Sequence, residues 1–303
     1  MLEPVLVTGA SGLVGYRVAE LLAQQGVDVL GVDVRAPAGG APFPQVVGDI
    51  ADLTTVARLL RGRPNVVHAG AVSGPMLLLD DPHAIARANL GGAMAVFEAA
   101  YRAPVRRIVW MSSIAIYGDQ PTLDPITEAT RPNPQSFYGH TKLAGEVLLH
   151  AYAERYGLNA VALRLSSVFG PRRQTACGLR AAIEAALDGR PVPVAAAGSS
   201  FRQYVHVDDA ARSVILALEA PAPARFAYNV TGGSYVTEAE LAAMIGELLP
   251  GLSVAAGPPA WNEGHLGRLD IAAAERDLGY RPAVNLRDGL AALADHIKAV
   301  RAA

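Results

Sequence analysis

Near its amino terminus the chain reads Val5-Leu6-Val7-Thr8-Gly9-Ala10-Ser11-Gly12-Leu13-Val14-Gly15. The apolar run before Thr8 predicts a buried strand, and the pattern that follows predicts a helix. Gly9 permits a tight turn, Gly12 lets the backbone approach a pyrophosphate, and Gly15 lets the helix pack closely on the sheet. Free N–H groups at the helix start favour phosphate. The segment therefore predicts a dinucleotide site to which Ser11 and Leu13 contribute.

The residues after the next two strands bear on which dinucleotide is bound. Asp33 ends the second strand, where a carboxylate accepts hydrogen bonds from ribose hydroxyls and repels a 2′-phosphate, so NAD is favoured over NADP. Arg35 tempers this preference, because a guanidinium binds such a phosphate. Asp49 and Ile50 follow the third strand and are candidates for adenine contact. The alternatives are a turn-forming Asp33 and a solvated helix cap at Asp49.

Short apolar runs alternate with helical patterns through the first half of the chain. The strand-like runs are 5–7, 27–32, 46–47, 66–69, 108–111 and 160–165, and the helix-like stretches are 13–24, 53–60, 85–101 and 142–156. Uniformly apolar strands separated by helices predict a parallel sheet covered on both faces. Beyond about residue 171, Pro- and Gly-rich breaks at 189–193, 221–223 and 257–259 separate shorter elements.

These patterns predict an α/β protein with a Rossmann-type doubly wound parallel sheet and a smaller C-terminal α/β substrate-binding lobe. We expect an NAD-binding domain over residues 1–170, whose last strand and helix draw on 200–230. Residues 171–303 are expected to form mainly the substrate-binding lobe.

Composition excludes several classes of protein. A hydrophobic fraction of 51% with 18% charged residues is typical of a globular protein, and a net charge of -2 gives no footprint for nucleic acid. No apolar stretch is long enough to span a membrane, and the amino terminus lacks a signal-peptide pattern. Cys177 is the only cysteine, which excludes intramolecular disulfides and cysteine-based zinc sites. We expect a cytoplasmic protein without a metal site.

The use of lysine is unusual. Of 26 basic side chains only Lys142 and Lys298 are lysines, and Lys142 follows Tyr138 by four residues, so both lie on one helix face. A nearby ammonium favours the ionised phenol, so we expect the pKa of Tyr138 to be lowered, as suits a general acid/base. Ser113 ends the strand at 108–111, on the edge where parallel sheets bind ligands. The alternative is a half-exposed tyrosine beside a solvated lysine.

These motifs, in this order, resemble the extended short-chain dehydrogenase/reductase superfamily, and within it the NAD-dependent epimerase/dehydratase family. The residues that carry the resemblance are 8–15, Asp33, His68-Ala69-Gly70-Ala71, Asn89, Ser112-Ser113, Tyr138 with Lys142, 163–172, 202–209, 228–230 and 278–282. The resemblance implies that Ala69, Gly70, Ala71 and Asn89 also help to hold the cofactor.

The resemblance also implies a hydride mechanism. Tyr138, as tyrosinate, would remove a hydroxyl proton from a sugar while hydride passes to NAD+; Lys142 would hold the nicotinamide ribose and Ser113 would orient the oxygen. A 4-epimerase lets the keto intermediate turn over and returns the hydride to its other face, whereas a dehydrogenase releases the ketone and NADH. Ile114 and Ala115 stand where the family's 4,6-dehydratases carry Asp-Glu, so dehydration is not expected.

The substrate is less clearly indicated. Arg202 stands where related nucleotide-sugar enzymes place an arginine on the diphosphate, with a surface ion pair as the alternative. Ser167 replaces the usual Asn of those enzymes, and Ser73-Gly74-Pro75 resembles the hydroxyl contacts of uronate dehydrogenases. Arg172, Arg173 and Arg268 are candidates for binding phosphate or carboxylate, with simple solvation at the surface as the alternative.

Three functions stay open. The leading one is an NAD-dependent epimerase of a nucleotide sugar. The second is a dehydrogenase that oxidises a free sugar acid or polyol derivative, and the third is a catalytically silent NAD-binding protein. The apolar helices at 85–101 and 143–156 resemble those that form the family's homodimer through a four-helix bundle, with simple core burial as the alternative.

Overall fold

The computed structural model describes residues 2–37, 39–74, 77–78, 80–173, 175, 177–194, 201–250, 252–256 and 265–302. Pro75 and the break at 257–259, both used in the sequence predictions, lie outside these residues. The helices are α1 (Leu13–Gln24), α2 (Leu53–Leu59), α3 (Pro82–Ala86), α4 (Gly92–Arg102), α5 (Phe137–Tyr156), α6 (Gly178–Leu187), α7 (Val207–Glu219), α8 (Glu238–Leu248), α9 (Ala272–Leu278) and α10 (Leu286–Ala302).

The strands are β1 (Val5–Thr8), β2 (Val29–Asp33), β3 (Gln45–Val47), β4 (Asn65–His68), β5 (Arg107–Ser113), β6 (Ala160–Leu165), β7 (Ser167–Phe169), β8 (Val192–Val194), β9 (Phe201–Arg202), β10 (Tyr204–His206), β11 (Ala227–Val230), β12 (Val236–Thr237) and β13 (Val254–Ala256). Within the described ranges, seven of them form one parallel sheet in the order β11-β6-β5-β4-β1-β2-β3. The strand order reverses beside β1, so a ligand crevice is expected between β1 and β4 at their carboxyl ends. The prediction of a Rossmann-type sheet is confirmed.

Helices cover both faces of this sheet. On one face α1, α7 and α9 bury residues such as Leu22, Val214 and Leu278 against the strands. On the other face α2, α4 and α5 bury residues such as Phe97 and Leu149. The central strands are mostly apolar because helices keep both of their faces from water.

The chain leaves the sheet after β6 and returns through α7 and β11, with Tyr228 paired to Leu163. A third core, between α6, α8 and α10, packs Ile183, Ile245 and Leu290 outside the sheet. The described residues also form three two-stranded pairings there, β7 with β10, β9 with β12 and β8 with β13. The domain boundary near residue 170 stays a prediction.

The helix predicted at 85–101 is α3, a π-helical turn at Arg87–Gly91, and α4 in direct succession. The helix predicted at 142–156 begins earlier, at Phe137, because Ser136 caps it by accepting a hydrogen bond from the Gly139 N–H at 3.0 Å. Tyr138 and Lys142 therefore lie in its first two turns. None of the helices in the described part of the chain has the length and hydropathy to cross a bilayer.

Candidate active site

A cleft of about 1090 Å³ opens at the carboxyl ends of the sheet strands. Its lining includes the glycine turn after β1, Lys142 and Tyr138, and Arg172 and Thr175 in the loop before α6. Among the described residues, the predicted site residues all line this cleft except Asn89, Arg202 and Arg268. The strand edge thus gathers residues from most of the chain into one cavity.

The glycine turn is closed by backbone contacts. Gly9 has φ +68°, and a Cβ placed on it would lie 2.6 Å from the Ala69 carbonyl carbon. A Cβ on Gly15 would lie 2.2 Å from the Gly9 oxygen. Only glycine fits at these two positions, so the start of α1 comes close to β1 and leaves room for a phosphate group. The cradle fits a dinucleotide.

Asp33 anchors the outer side of this turn. Its carboxylate accepts hydrogen bonds from the Ser11 N–H at 3.0 Å and the Arg35 N–H at 3.3 Å. Gln45, which sequence reasoning missed, donates to the Ser11 hydroxyl at 2.6 Å, and that hydroxyl donates to the Arg35 carbonyl at 2.6 Å. These bonds hold the Asp33 carboxylate at the strand end, where it is suited to bind ribose hydroxyls.

Asp49 lies across the mouth of the same end of the cleft. It accepts a hydrogen bond from the Ala51 N–H at 2.9 Å and pairs with Arg87 of the π-helical turn at 2.7 Å. Ile50 packs beneath it, against Gly70 and Gly92. The carboxylate thus forms an ion pair at the cleft rim.

Tyr138 lies at the base of the cleft and is only 7% exposed. Burial raises the pKa of Tyr138, while hydrogen bonds with the Ser113 and Ser73 side chains, and the charge of Arg173, lower it by less. The expected net lowering of the Tyr138 pKa is therefore wrong. Helical spacing could not predict it, because the loss of solvation depends on the whole fold.

Lys142 is also buried, at 4% exposed. Its ammonium donates a hydrogen bond to the Met111 carbonyl at 2.8 Å and lies 4.5 Å from the Trp110 ring centre and 5.7 Å from the Tyr138 ring centre. Burial lowers the pKa of Lys142 to about 7, although the charge of Glu146 raises it in part. The lysine is thus held by the backbone of β5 and by two aromatic rings.

A buried polar network lies behind these two residues, and sequence reasoning missed its central member. Glu146, one turn after Lys142, pairs with Arg164 at 2.8 Å and accepts a hydrogen bond from the Ser112 hydroxyl. Arg164 donates to the Tyr117 hydroxyl at 2.9 Å. An acid on the sheet-facing side of α5 was the available signal, because a buried carboxylate requires a partner.

Asn89 does not face the cleft. Its carbonyl accepts from the Val72 N–H at 2.8 Å, and its amide donates to the Val72 carbonyl at 3.2 Å and to the Thr141 hydroxyl at 2.9 Å. Thr141 in turn donates to the Tyr138 carbonyl at 2.8 Å. The side chain of Asn89 therefore braces the loop after β4 against the first turn of α5.

The arginines of the second half fall into two groups. Arg202 is 1% exposed and pairs with Glu238 at 2.6 Å, so the ion pair considered as its alternative is present but is buried and not at the surface. The Arg268 guanidinium lies 5.5 Å from the Tyr235 ring centre. Arg172 does line the cleft; it has φ +69° and lies 3.9 Å above the Tyr16 ring of α1. Contacts of these arginines with a substrate stay predictions.

Two serines extend the site toward the substrate lobe. Ser73 lines the cleft beside Tyr138, to which it is hydrogen-bonded, and Ser167 lines it at the start of β7. The Ser167 N–H donates to the Gln203 carbonyl at 3.2 Å, which joins β7 to the chain between β9 and β10. In the described residues no group of His, Cys, Asp and Glu side chains is suited to a metal ion.

The family model described as the NAD dependent epimerase/dehydratase family matches residues 5–231 of this chain. The chain is 32% identical in sequence to a UDP-glucose 4-epimerase of Mycolicibacterium smegmatis, and the alignment covers 94% of this chain and 96% of that relative. Similarity at this level and coverage extends through both the sheet and the C-terminal lobe.

Solved structures agree with this similarity. A UDP-glucose 4-epimerase of Thermotoga maritima, crystallised with UDP-glucose, superposes with a TM-score of 0.88 at 27% identity, covering 98% of this chain and 99% of its own. A UDP-glucuronic acid 4-epimerase of Bacillus cereus, in complex with UDP-glucuronic acid and NAD, gives a TM-score of 0.88 at 25% identity with the same coverage of both chains.

Proposed function

This chain belongs to the NAD-dependent epimerase/dehydratase family, and we propose that it is an NAD-dependent 4-epimerase of a nucleotide sugar. One observation carries the proposal: the glycine cradle, Asp33, Ser113, Tyr138 and Lys142 all line a single cleft. The nucleotide-sugar epimerases that resemble the chain over nearly its whole length support it.

The first half of the chain holds the cofactor. Gly9, Gly12 and Gly15 would receive the pyrophosphate, and Asp33 would accept hydrogen bonds from the adenosine ribose. Lys142 would bind the nicotinamide ribose with its ammonium. When bound, NAD supplies the acceptor for a hydride from the sugar carbon and its later donor.

Tyr138 moves the proton of the reacting hydroxyl. The phenolate takes the proton from the sugar O4 as the C4–H bond breaks, and the phenol returns it when that bond reforms on the opposite face. Ser113 and Ser73, both hydrogen-bonded to the phenol, hold the oxygen in line. Burial raises the pKa of Tyr138. The two serine hydroxyls and the charge of Arg173 lower that pKa in part, and so reduce the cost of ionising the phenol.

The nucleotide portion of the substrate occupies the C-terminal lobe. Arg172 and Ser167 line the cleft on that side. Arg202 and Arg268 lie outside the lining of the cleft, and we assign them to the diphosphate because guanidinium binds phosphate oxygens in pairs.

One experiment separates this proposal from net dehydrogenation. Purified protein is mixed with NAD+ and, in parallel, with UDP-, dTDP- and GDP-sugars or with free sugar acids. We expect a 4-epimer from a nucleotide sugar without accumulation of NADH. Stoichiometric NADH with free acids alone would replace the proposal with the dehydrogenase, and NAD binding with no conversion of any sugar would leave a silent binding protein.

We also propose a homodimer in which α4 and α5 of two copies form a four-helix bundle. Met94, Val147 and Tyr156 on these helices are 54%, 61% and 54% exposed. Tyr101 and Tyr156 place their ring centres 5.0 Å apart and join the two helices into one apolar face. Large apolar side chains in such a patch favour association.

Sedimentation should give a dimer at micromolar protein concentration, and Val147→Glu should shift it toward monomer. A monomeric parent protein would refute the bundle.

A cytoplasmic location is the remaining part of the proposal. The single cysteine, Cys177, fits a reducing compartment, where structural disulfides are rare. Fractionation of the source cells with an antibody to the chain tests it, and recovery outside the cytoplasmic fraction would contradict it.

A further inference from the structure

Trp110, on β5, lies against the ammonium of Lys142. The indole is 1% exposed, and the Lys142 nitrogen sits over its ring at 4.5 Å from the centre. The face of an indole is negative, and it attracts a cation most strongly where water is excluded. Trp110 therefore favours the charged form of a lysine whose burial favours the neutral form.

Gly145 makes room for this indole. A Cβ on Gly145 would lie 2.7 Å from Cζ2 and 3.1 Å from Cη2 of Trp110. Gly145 lies three residues after Lys142 on α5, so the helix backbone passes directly over the six-membered part of the ring. Any larger side chain would push the indole or the helix away.

Two other rings also pack against the indole. His68 lies with its ring centre 4.9 Å away, and Phe97 with its ring centre 5.4 Å away and nearly perpendicular. A ring packed between these neighbours and Gly145 has no free space in which to rotate. The surface that it offers to Lys142 is therefore fixed before any ligand binds.

Among the other charged groups around Lys142, the charge of Glu146 also favours the cation, and the indole face acts beside it. The titratable groups linked to Lys142 by charge or contact are Tyr138 and Glu146 on α5 and His68 on β4, and Arg164 on β6 pairs with Glu146. Burial lowers the pKa of His68 to about 3, so its ring is neutral. The carboxylate of Glu146 pairs with Arg164 and raises the pKa of Lys142 only in part. The Met111 carbonyl and the Trp110 face are the remaining close contacts that favour the cation.

We propose that Trp110 is a positioning residue that holds Lys142 in place and keeps it protonated, and that Gly145 is required to admit the indole. The effect of Trp110 on the charge of Lys142 follows from the contacts between the two side chains alone. The consequence for catalysis rests on the proposed function, because there Lys142 binds the nicotinamide ribose as a cation.

The scarcity of lysine makes the test direct. In full-length protein carrying Lys298→Arg and isotope-labelled lysine, the NMR signal of Lys142 titrates alone. We expect its midpoint to fall by about one pH unit in Trp110→Leu, and by less in Trp110→Phe, which keeps a weaker aromatic face. Gly145→Ala, which displaces the indole, should shift the midpoint in the same direction. An unchanged midpoint in Trp110→Leu and Trp110→Phe would overturn the proposal.

Phe97→Leu is the matched control, because Phe97 packs against the indole and belongs to the same core cluster. It should lower stability and leave the Lys142 midpoint near that of the parent. A shift equal to that in Trp110→Leu would mean that loosened packing moves the midpoint, and would overturn the proposal. If the midpoint falls but the alkaline limb of turnover does not follow it, the charge inference holds and the catalytic role given to Lys142 fails.

Discussion

Glu146 and Arg164 form an ion pair at 2.8 Å, with side chains only 5% and 10% exposed. The pair joins α5 to β6 behind Lys142, and Arg164 also donates a hydrogen bond to the Tyr117 hydroxyl. Burial by itself would lower the pKa of Arg164, but its hydrogen bonds and charge interaction with Glu146 raise it above the ordinary value. The helix that carries Tyr138 and Lys142 is thus fixed to the sheet by charge as well as by apolar packing.

Glu146→Gln should therefore destabilise the fold. The substitution leaves the buried guanidinium without its counter-charge, which costs roughly 3 kcal/mol of unfolding free energy. Urea denaturation measures it. The matched control is Glu247→Gln, whose pair with Arg287 at 2.6 Å is 56% and 58% exposed and should contribute less than about 1 kcal/mol. Equal losses of unfolding free energy in the two variants would mean that the buried pair stabilises the fold no more than the exposed pair does.

Lys142→Met should stabilise the protein at mildly acidic pH while it abolishes turnover. The folded-state pKa of Lys142 is lowered from 10.5 to about 7, so between these values the unfolded chain binds the extra proton and stability rises with pH. Below pH 7 the parent protein carries a buried ammonium that methionine removes. We expect a gain of about 2 kcal/mol or more at pH 6, which shrinks as the pH approaches 10.

Lys298→Met provides the comparison for this prediction. Lys298 is about half exposed and lies 3.8 Å from Asp295, so its removal should change stability little at either pH. Thermal unfolding of both variants across this pH range gives the measurement. A Lys142→Met variant that is less stable than the parent at pH 6 would contradict the prediction.

Tyr138→Phe should reduce kcat by about 10²–10⁴-fold or more, because the proton carrier is lost. NAD affinity, measured by calorimetry, should stay close to that of the parent, since the glycine cradle and Asp33 are untouched. Tyr152→Phe, on the same helix but hydrogen-bonded to Glu98 away from the cleft, is the control and should retain activity. Undiminished conversion by Tyr138→Phe would refute the assignment of the general acid/base.

Gly15→Ala should weaken NAD binding by at least about tenfold, because its Cβ would lie 2.2 Å from the Gly9 oxygen and force the phosphate turn to move. Gly91→Ala is the control: its φ is -59° and the new Cβ would make only an ordinary contact, 3.9 Å from the Ala51 Cβ. That variant should bind NAD normally and match or exceed the parent in stability. Equal NAD affinity in the two variants would contradict the close-approach argument.

The fold and one half of the site follow from local sequence. The alternation of apolar strands and helices, the glycine spacing in residues 9–15 and Asp33 at a strand end predict the parallel sheet and its cofactor edge. Helical spacing correctly places Tyr138 and Lys142 on one helix, α5. Each of these features depends on residues that are close in the chain, where periodicity and turn chemistry act directly.

Contacts between distant segments were decided only by the tertiary structure. Burial outweighs charge at Tyr138, Asn89 turns toward Val72 and Thr141, and Arg202 is enclosed with Glu238. Periodicity tells which side of a helix is buried, but not which side chains it will meet there. The pairing of Trp110 with Lys142 therefore became visible only when β5 and α5 were packed together, because solvation and aromatic contact depend on all the neighbours at once.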